Sequence, residues 1–373
     1  MNTAYWETVI GLEVHVELST QTKIFCSCTT RFGGSPNTHC CPVCMGLPGT
    51  LPVLNERVLE YAVRAGLALN CTIEHDTRFD RKNYFYPDLP KAYQISQLYR
   101  PVAREGSVEI HVDGVSKTIR IHEMHMEEDA GKLIHSETEH ETWPDYNRCG
   151  VPLLEIVSEP DFRSAAEVTA YLEKIRSVFT YLGISDCKMQ EGSMRADVNL
   201  SVRPKGSSEL GTRTEMKNIN SIRAIEHAIA NESARQIRLL LHGETVRQET
   251  RHWDEERRVS TAMRGKENAP DYRYFPDPDL PPVLISETYI GRIRDALPEF
   301  AEEKQSRFRM QYQLSDYDAG LLTASRAQAD LFEAVVKAGA APKDAANWFI
   351  VHLAHVLKQL HMSADELPLT AVD

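Results

Sequence analysis

The chain lacks any run approaching the ~18 consecutive apolar residues that a membrane span requires. Its start, Met1-Asn2-Thr3-Ala4-Tyr5-Trp6-Glu7, has neither the basic opening nor the apolar stretch of a secretory leader. A cytoplasmic location without membrane contact is the expectation. Positive charge is in short supply: 42 Lys and Arg stand against 54 Asp and Glu, for a net charge of −12. That excludes a protein coated in positive charge for nucleic acid, though not a local basic patch. There is no P-loop and no GxGxxG, so any nucleotide would be held in an uncommon way. No repeat of fixed period is present.

What is there is ordinary in amount. The 373 residues are enough for two domains, and 42% apolar with 26% charged residues suits large cores under a polar surface. From 9 to 18 the chain alternates strictly: Ile10, Leu12, Val14, Val16 and Leu18 on one side, Gly11, Glu13, His15 and Glu17 on the other. Period two means a half-buried strand with a polar face. Residues 55–69 read as a helix capped by Asn55, with Leu54, Val58, Ala62, Ala65 and Leu69 as its apolar stripe. Residues 106–127 read as a hairpin turning at Asp113-Gly114.

The box Ser164-Ala165-Ala166-Glu167 opens a helix ending before Gly183. A second alternating strand at 194–203 places Arg195, Asp197, Asn199, Ser201 and Arg203 opposite Ala196, Val198, Leu200 and Val202. An extended piece at 212–218 and a helix at 221–242, closed by Gly243, follow. Residues 265–285 form a proline-rich connector. Its Pro-Asp segment at 274–281 echoes Tyr84-Phe85-Tyr86-Pro87-Asp88-Leu89-Pro90. Beyond it only helical patterns remain, at 298–312, 324–337 and 343–361. The expected fold class is α+β: a large mixed antiparallel-sheet domain over 1–287 and a small all-helical domain over 288–373.

Cysteines cluster. Cys26-x-Cys28 and Cys41-x-x-Cys44 offer four thiolates on two knuckles within a Gly/Pro-rich loop at 25–52, the pattern of a closed, structural zinc site. Cys40 could replace Cys41, but Cys41 leaves the Cys-Pro-x-Cys knuckle intact. In a reducing compartment a metal outranks disulfides. Cys71, Cys149 and Cys187 read as small buried residues.

Carboxylates recur on polar strand faces: Glu13 beside His15, Asp197 beside Asn199, and Glu127-Glu128-Asp129 at a strand end. Glu155 lies in the apolar run Pro152-Leu153-Leu154-Glu155-Ile156-Val157, where its charge is costly unless something compensates it. A hard cation such as magnesium would, and the histidine leaves manganese conceivable. Nothing in the spacing shows that these segments meet. The stretch 79–94 interleaves cations and aromatics, a mix that suits a phosphate and a stacked base. Its candidates are Lys82 for a phosphate, and Asn83, Tyr84, Lys91, Tyr93 and Gln94 for nucleotide or substrate. Arg195, Asn199, Glu215 and Lys217 join them from the later strands.

Several long phrases, in order, carry a resemblance: Val9-Ile10-Gly11-Leu12-Glu13-Val14-His15-Val16-Glu17-Leu18, Cys41-Pro42-Val43-Cys44-Met45-Gly46-Leu47-Pro48-Gly49, the segment 79–97, His125-Met126-Glu127-Glu128-Asp129-Ala130-Gly131-Lys132, Leu154-Glu155-Ile156-Val157-Ser158-Glu159-Pro160-Asp161 and Asp271-Tyr272-Arg273-Tyr274-Phe275-Pro276-Asp277. Together they resemble the B-subunit family of the three-subunit aspartyl/glutamyl-tRNA amidotransferases, from Glu7 to about Val356. The resemblance implies a "cradle" domain, then a helical domain, and in the family a C-terminal tail domain that this chain does not reach. It implies a magnesium site at Glu13, His15, Glu128, Glu155 and Asp197. It also implies ATP-dependent phosphorylation of the side-chain carboxylate of Glu-tRNA(Gln) or Asp-tRNA(Asn), followed by amidation. The chain shows no convincing glutaminase nucleophile, so the resemblance assigns ammonia supply to an amidase-like A subunit, with a small C subunit bridging the two. The competing reading is a non-enzymatic, zinc-stabilised RNA-binding module, which would need a basic face.

Overall fold

The computed structural model describes residues 5–136, 138–265, 271–362, 364–366 and 369–370. The chain start at 1–4 and the connector's 266–270 lie outside the described residues. Two compact units form, one within Met1–Lys174 and Ile184–Ala296, the other within Ile175–Gly183 and Leu297–Asp373.

The first unit is built on a nine-stranded sheet. In chain order its strands are β1 (Trp6–Glu17), β2 (Thr72–Ile73), β3 (Ala103–Val112), β4 (Val115–Glu128), β5 (Pro152–Ser158), β6 (Met194–Pro204), β7 (Thr214–Lys217), β8 (Glu249–Asp254) and β9 (Val259–Gly265). They lie side by side as 9-8-7-6-1-5-4-3-2. Both alternating strands of the sequence thus sit at the centre as neighbours. The expected hairpin is β3–β4, and Asp113 and Gly114 adopt φ of 50° and 78°, the double left-handed turn that an Asp-Gly pair favours.

Every pairing in this sheet is antiparallel except β7 with β8. A parallel pair needs a long crossover, and helix α3 (Ile222–Leu241, after α1 and α2 in the chain) supplies it. Helix α1 (Glu56–Ala68) packs on β2, β3 and β4, and α3 packs on β6 and β9. Each covers part of the sheet, and on its apolar face Ile10, Leu12, Val14, Val16, Ala196, Val198 and Leu200 are at most 2% exposed. The opposite face, carrying the polar residues of the same strands, stays half-buried and open.

Helix α2 (Ala165–Leu182) begins as expected, with a variation. The Ser164 hydroxyl accepts from Glu167 N–H, but the Glu167 carboxylate turns to Arg163 N–H and Lys117 rather than closing the box. The connector is less free than its prolines suggest. Phe275–Pro276 pairs with Asp80 and Arg81 in a small sheet completed by Tyr93–Ser96, and Val283–Leu284 pairs with Asp76 and Thr77. Arg81 clamps it further, its Nε and Nη2 each 2.8 Å from carboxylates of Asp277 and Asp279. The connector thus runs beside 80–83, the residues just before the segment it echoes.

The second unit is helical, at Ala301–Tyr312, Asp316–Leu322, Arg326–Lys337 and Pro342–Leu360, the last with a π-helical turn at Trp348–Leu353. Its core is Phe308, Leu322, Phe332, Phe349 and their neighbours. Among the described residues no helix is long and apolar enough to cross a membrane.

Candidate active site and cysteine cluster

Strand register assembles the site. Glu13 pairs with Asp197, and His15 with both Arg195 and Glu155; Glu155 in turn pairs with His125, and Leu153 with Glu127. Asn199 pairs with Glu215 one strand further out. Directly opposed residues point to the same face, so an acidic row crosses β7, β6, β1, β5 and β4. It lines a cleft of about 700 Å³ whose wall includes Lys82, Tyr84, Gln94, Asp129, Lys217, Gln248, Thr250 and Tyr272. Two groups converge there: His15, Glu127 and Glu155, and Glu13, Asp197 and Glu215, each with one donor atom per residue within 4.8 Å of the others.

The protein compensates this charge only in part. Lys217 Nζ donates to Asp197 at 2.6 Å and lies 3.0 Å from Glu215, and Arg195 donates to Asp129 at 2.9 Å. Lys82 Nζ sits over the rings of Tyr272 and Tyr84 at 5.0 and 5.9 Å. Burial opposes its charge, but Glu127 and Glu155 hold its pKa above the ordinary lysine value. Burial, followed by the charge of Glu155, raises both Glu13 and Glu127. Glu155 itself is held well below the usual carboxylate range, because His15, His125 and Lys82 outweigh its burial. Carboxylates raised by burial beside another carboxylate are what a divalent cation relieves, and His15 with five carboxylates is a hard, mostly oxygen donor set.

Glu13, His15, Lys82, Tyr84, Gln94, Glu155, Arg195, Asp197, Glu215 and Lys217 all line the cleft. Glu128 does not: adjacent strand residues face opposite ways, and Glu127 takes the inward position. Glu128 points behind the sheet wall, 2.5 Å from Lys91 Nζ and accepting from Ile95 N–H. Lys91 and Tyr93 line a separate small pocket with Cys26, Cys44 and Glu128. Asn83 is spent on the connector, donating to Arg273 O at 2.8 Å. Asn199 donates to Glu13 at 2.9 Å and lines an adjoining pocket with it. Of the run Glu127-Glu128-Asp129 it is Glu127 and Asp129 that line the cleft, and Thr250 and Tyr272 join them without having been candidates. The alternation Glu123, His125, Glu127 was available, but not which face turned inward.

The thiols of Cys26, Cys28, Cys41 and Cys44 come within 4.8 Å of one another. Cys40 turns away, its sulfur 3.9 Å from Asn147 Oδ1. The Cys26 thiol shares its proton with Cys44, whose pKa falls to about 4, helped by the Cys41 N–H and the charge of Lys23. Lys23 is fully buried and donates to His39 O, Tyr146 O and Cys44 Sγ, at 2.7, 3.4 and 3.7 Å. Four soft donors and no open position fit zinc in a structural role. The loop also reaches the sheet wall: Gly46, at φ 66°, packs so closely on Lys91 that any side chain there would overlap it.

Comparison with known proteins places this arrangement. A family profile described as "GatB/GatE catalytic domain" matches residues 8–291. The chain is similar to proteins named as the B subunit of aspartyl/glutamyl-tRNA(Asn/Gln) amidotransferase. The one from Lachnoclostridium phytofermentans is 60% identical over 98% of this chain and 76% of its own length. That from Agathobacter rectalis is 58% identical over 99% and 78%. That from Caldicellulosiruptor saccharolyticus is 55% identical over 97% and 75%.

Proposed function

Because the chain belongs to the GatB/GatE family and is an aspartyl/glutamyl-tRNA amidotransferase B subunit, we propose that its acidic cleft activates the side-chain carboxylate of an aminoacyl-tRNA. The supporting observation is the convergence of two acidic donor groups beside Lys82, Lys217 and Arg195. A carboxylate is a poor electrophile. Transfer of the ATP γ-phosphoryl group to it makes an acyl phosphate and ADP; ammonia then displaces phosphate to leave the amide. Magnesium or manganese, held by His15, Glu127 and Glu155 and by Glu13, Asp197 and Glu215, would neutralise charge on the phosphates and on the acidic substrate.

The chain's own residues do the rest. Lys82, desolvated against Tyr84 and Tyr272, faces the transferred phosphoryl group. Arg195, anchored on Asp129, and Lys217 orient the anionic ends of ATP and substrate. Water is thinned by the connector, which seats Tyr272 over Lys82. Among the described residues the cleft lining contains neither serine nor cysteine, and an amidase-like A subunit, joined through a small C subunit, is proposed to deliver ammonia. Misacylated Glu-tRNA(Gln) and Asp-tRNA(Asn) are the proposed substrates. Zinc at Cys26, Cys28, Cys41 and Cys44 is proposed as structural, and the location as cytoplasmic. The net charge of −12 and the acidic cleft weigh against an RNA-binding module without catalysis.

The test is the assembled complex carrying Asp197→Ala, with both half-reactions measured. Amidation should fall by about 10²–10³-fold as transition-state charge stabilisation is lost. Glutamine hydrolysis, placed on another chain, should survive at least in part. Unchanged ATP-dependent amidation refutes the assignment; loss of glutaminase alone, with amidation intact on supplied ammonia, reverses it.

A further inference from the structure

Glu155 stands between two imidazoles that address different oxygens. His15 Nε2 is 3.8 Å from Oε1, while His125 Nδ1 is 3.6 Å from Oε2. The placement follows from register, since Glu155 on β5 is directly opposite His15 on β1 and His125 on β4. His125 is only 7% exposed and is not part of the cleft lining. Its other nitrogen, Nε2, is 3.0 Å from Oε1 of Glu123 and, among the described residues, has no well-aligned hydrogen-bond partner. Glu123 in turn meets Arg104 at 3.2 Å. The contacts run Arg104, Glu123, His125, Glu155 from near the sheet edge toward the cleft.

Both carboxylates are acceptors, and the ring turns one nitrogen toward each, Nε2 toward Glu123 and Nδ1 toward Glu155. The terminal torsion of a glutamate is broad and fixes no rotation by itself. A partner behind the carboxylate must do so. We propose that His125 is a positioning residue for catalysis: it holds Oε2 of Glu155 from behind and thereby presents Oε1 to the cation shared with His15 and Glu127. The proposal rests on the reading of the cleft as a divalent-cation site. Outer-shell partners of this kind typically govern metal affinity or activity by about 10–100-fold.

The experiment measures Mn²⁺ binding to the assembled complex, by the loss of the free-Mn²⁺ electron paramagnetic resonance signal, alongside steady-state amidation. His125→Ala should raise the Mn²⁺ Kd by about 10–100-fold and lower kcat, leaving the KM for misacylated tRNA in place. His125→Asn, which keeps an N–H near the Nδ1 position, should recover most of the affinity. Glu123→Gln should show a smaller loss. Thermal melting and zinc content report whether each variant is folded. An unchanged Mn²⁺ Kd in folded His125→Ala overturns the proposal. If that variant does not assemble, unchanged affinity in folded Glu123→Gln overturns it instead. A wild-type complex that binds no Mn²⁺ refutes the cation reading of the cleft, and this inference with it.

Discussion

The cysteine cluster and the acidic cleft are both sets of metal-competent donors, yet they are built in opposite ways. The cluster draws four soft donors from one loop between Cys26 and Cys44, closes on itself, and is backed by a single buried cation, Lys23. The cleft draws its donors from five strands between Glu13 and Glu215, stays open over about 700 Å³, and is ringed by cations that only partly balance it. A closed set with matched charge serves stability. An open set with residual negative charge and nearby lysines is suited to bringing a cation and anionic substrates together.

The largest expected effect tests the closed half of this contrast. Structural zinc sites contribute on the order of 10 kcal/mol of folding free energy. Stripping the metal with a chelator should therefore disorder the 25–52 loop and lower the melting temperature sharply. Elemental analysis should find about one zinc per chain, by four-thiolate stoichiometry. Cys41→Ser should lose the metal and Cys40→Ser should keep it; equal zinc content in both would break the assignment.

Glu127 and Glu128 then separate the two roles within adjacent residues. Glu128→Ala leaves the buried Lys91 ammonium without its partner and should cost about 3–5 kcal/mol of stability, read by denaturant unfolding. Glu127→Ala should leave unfolding nearly unchanged and lower amidation by about 10²–10³-fold. If the two effects exchange, the inward and outward assignments are wrong. Lys23→Met keeps the buried stem but strands the His39 and Tyr146 carbonyls, for about 1–3 kcal/mol, with faster zinc loss to a chromophoric chelator.

The smallest effect comes from a site where protein cations do all the compensation. Glu333 lies 2.8 Å from Lys304 and 2.7 Å from Arg307. Against its burial these cations lower its pKa to about 2. A depressed carboxylate stabilises the fold above its unfolded pKa near 4.5, and that stability is lost as pH falls toward 2. Glu333→Gln should flatten the acid limb of the stability profile over that window, by about 1 kcal/mol after solvent screening. An unaltered limb would show the cations compensating something else.

Much was legible from the chain. Strict alternation identified β1 and β6, Asp113-Gly114 marked the β3–β4 turn, and Asn55 capped its helix. The convergence of Cys26, Cys28, Cys41 and Cys44 was legible because the four lie within one loop. Within the acidic run, Glu127 faces the cleft and Glu128, the residue expected there, turns to Lys91. A run of two glutamates and an aspartate satisfies period two in either phase, and only packing chooses the phase. His125 and Tyr272 were missed for a related reason, since each acquires its role from a partner far along the chain.

By itself, then, the sequence determined that β1, β6 and the β3–β4 hairpin would be strands and α1, α2 and α3 helices, which faces of β1 and β6 would be polar, and that four cysteines could share one metal, because all of these depend on spacings of a few residues. Tertiary structure decided that Glu13, His15, Glu127, Glu155, Asp197 and Glu215 share one cleft, and that the connector brings Tyr272 to Lys82. Strand order and register carry that information. They are set by the burial of the sheet's apolar face, parts of it under α1 and α3, a sum over many distant contacts that no local pattern contains.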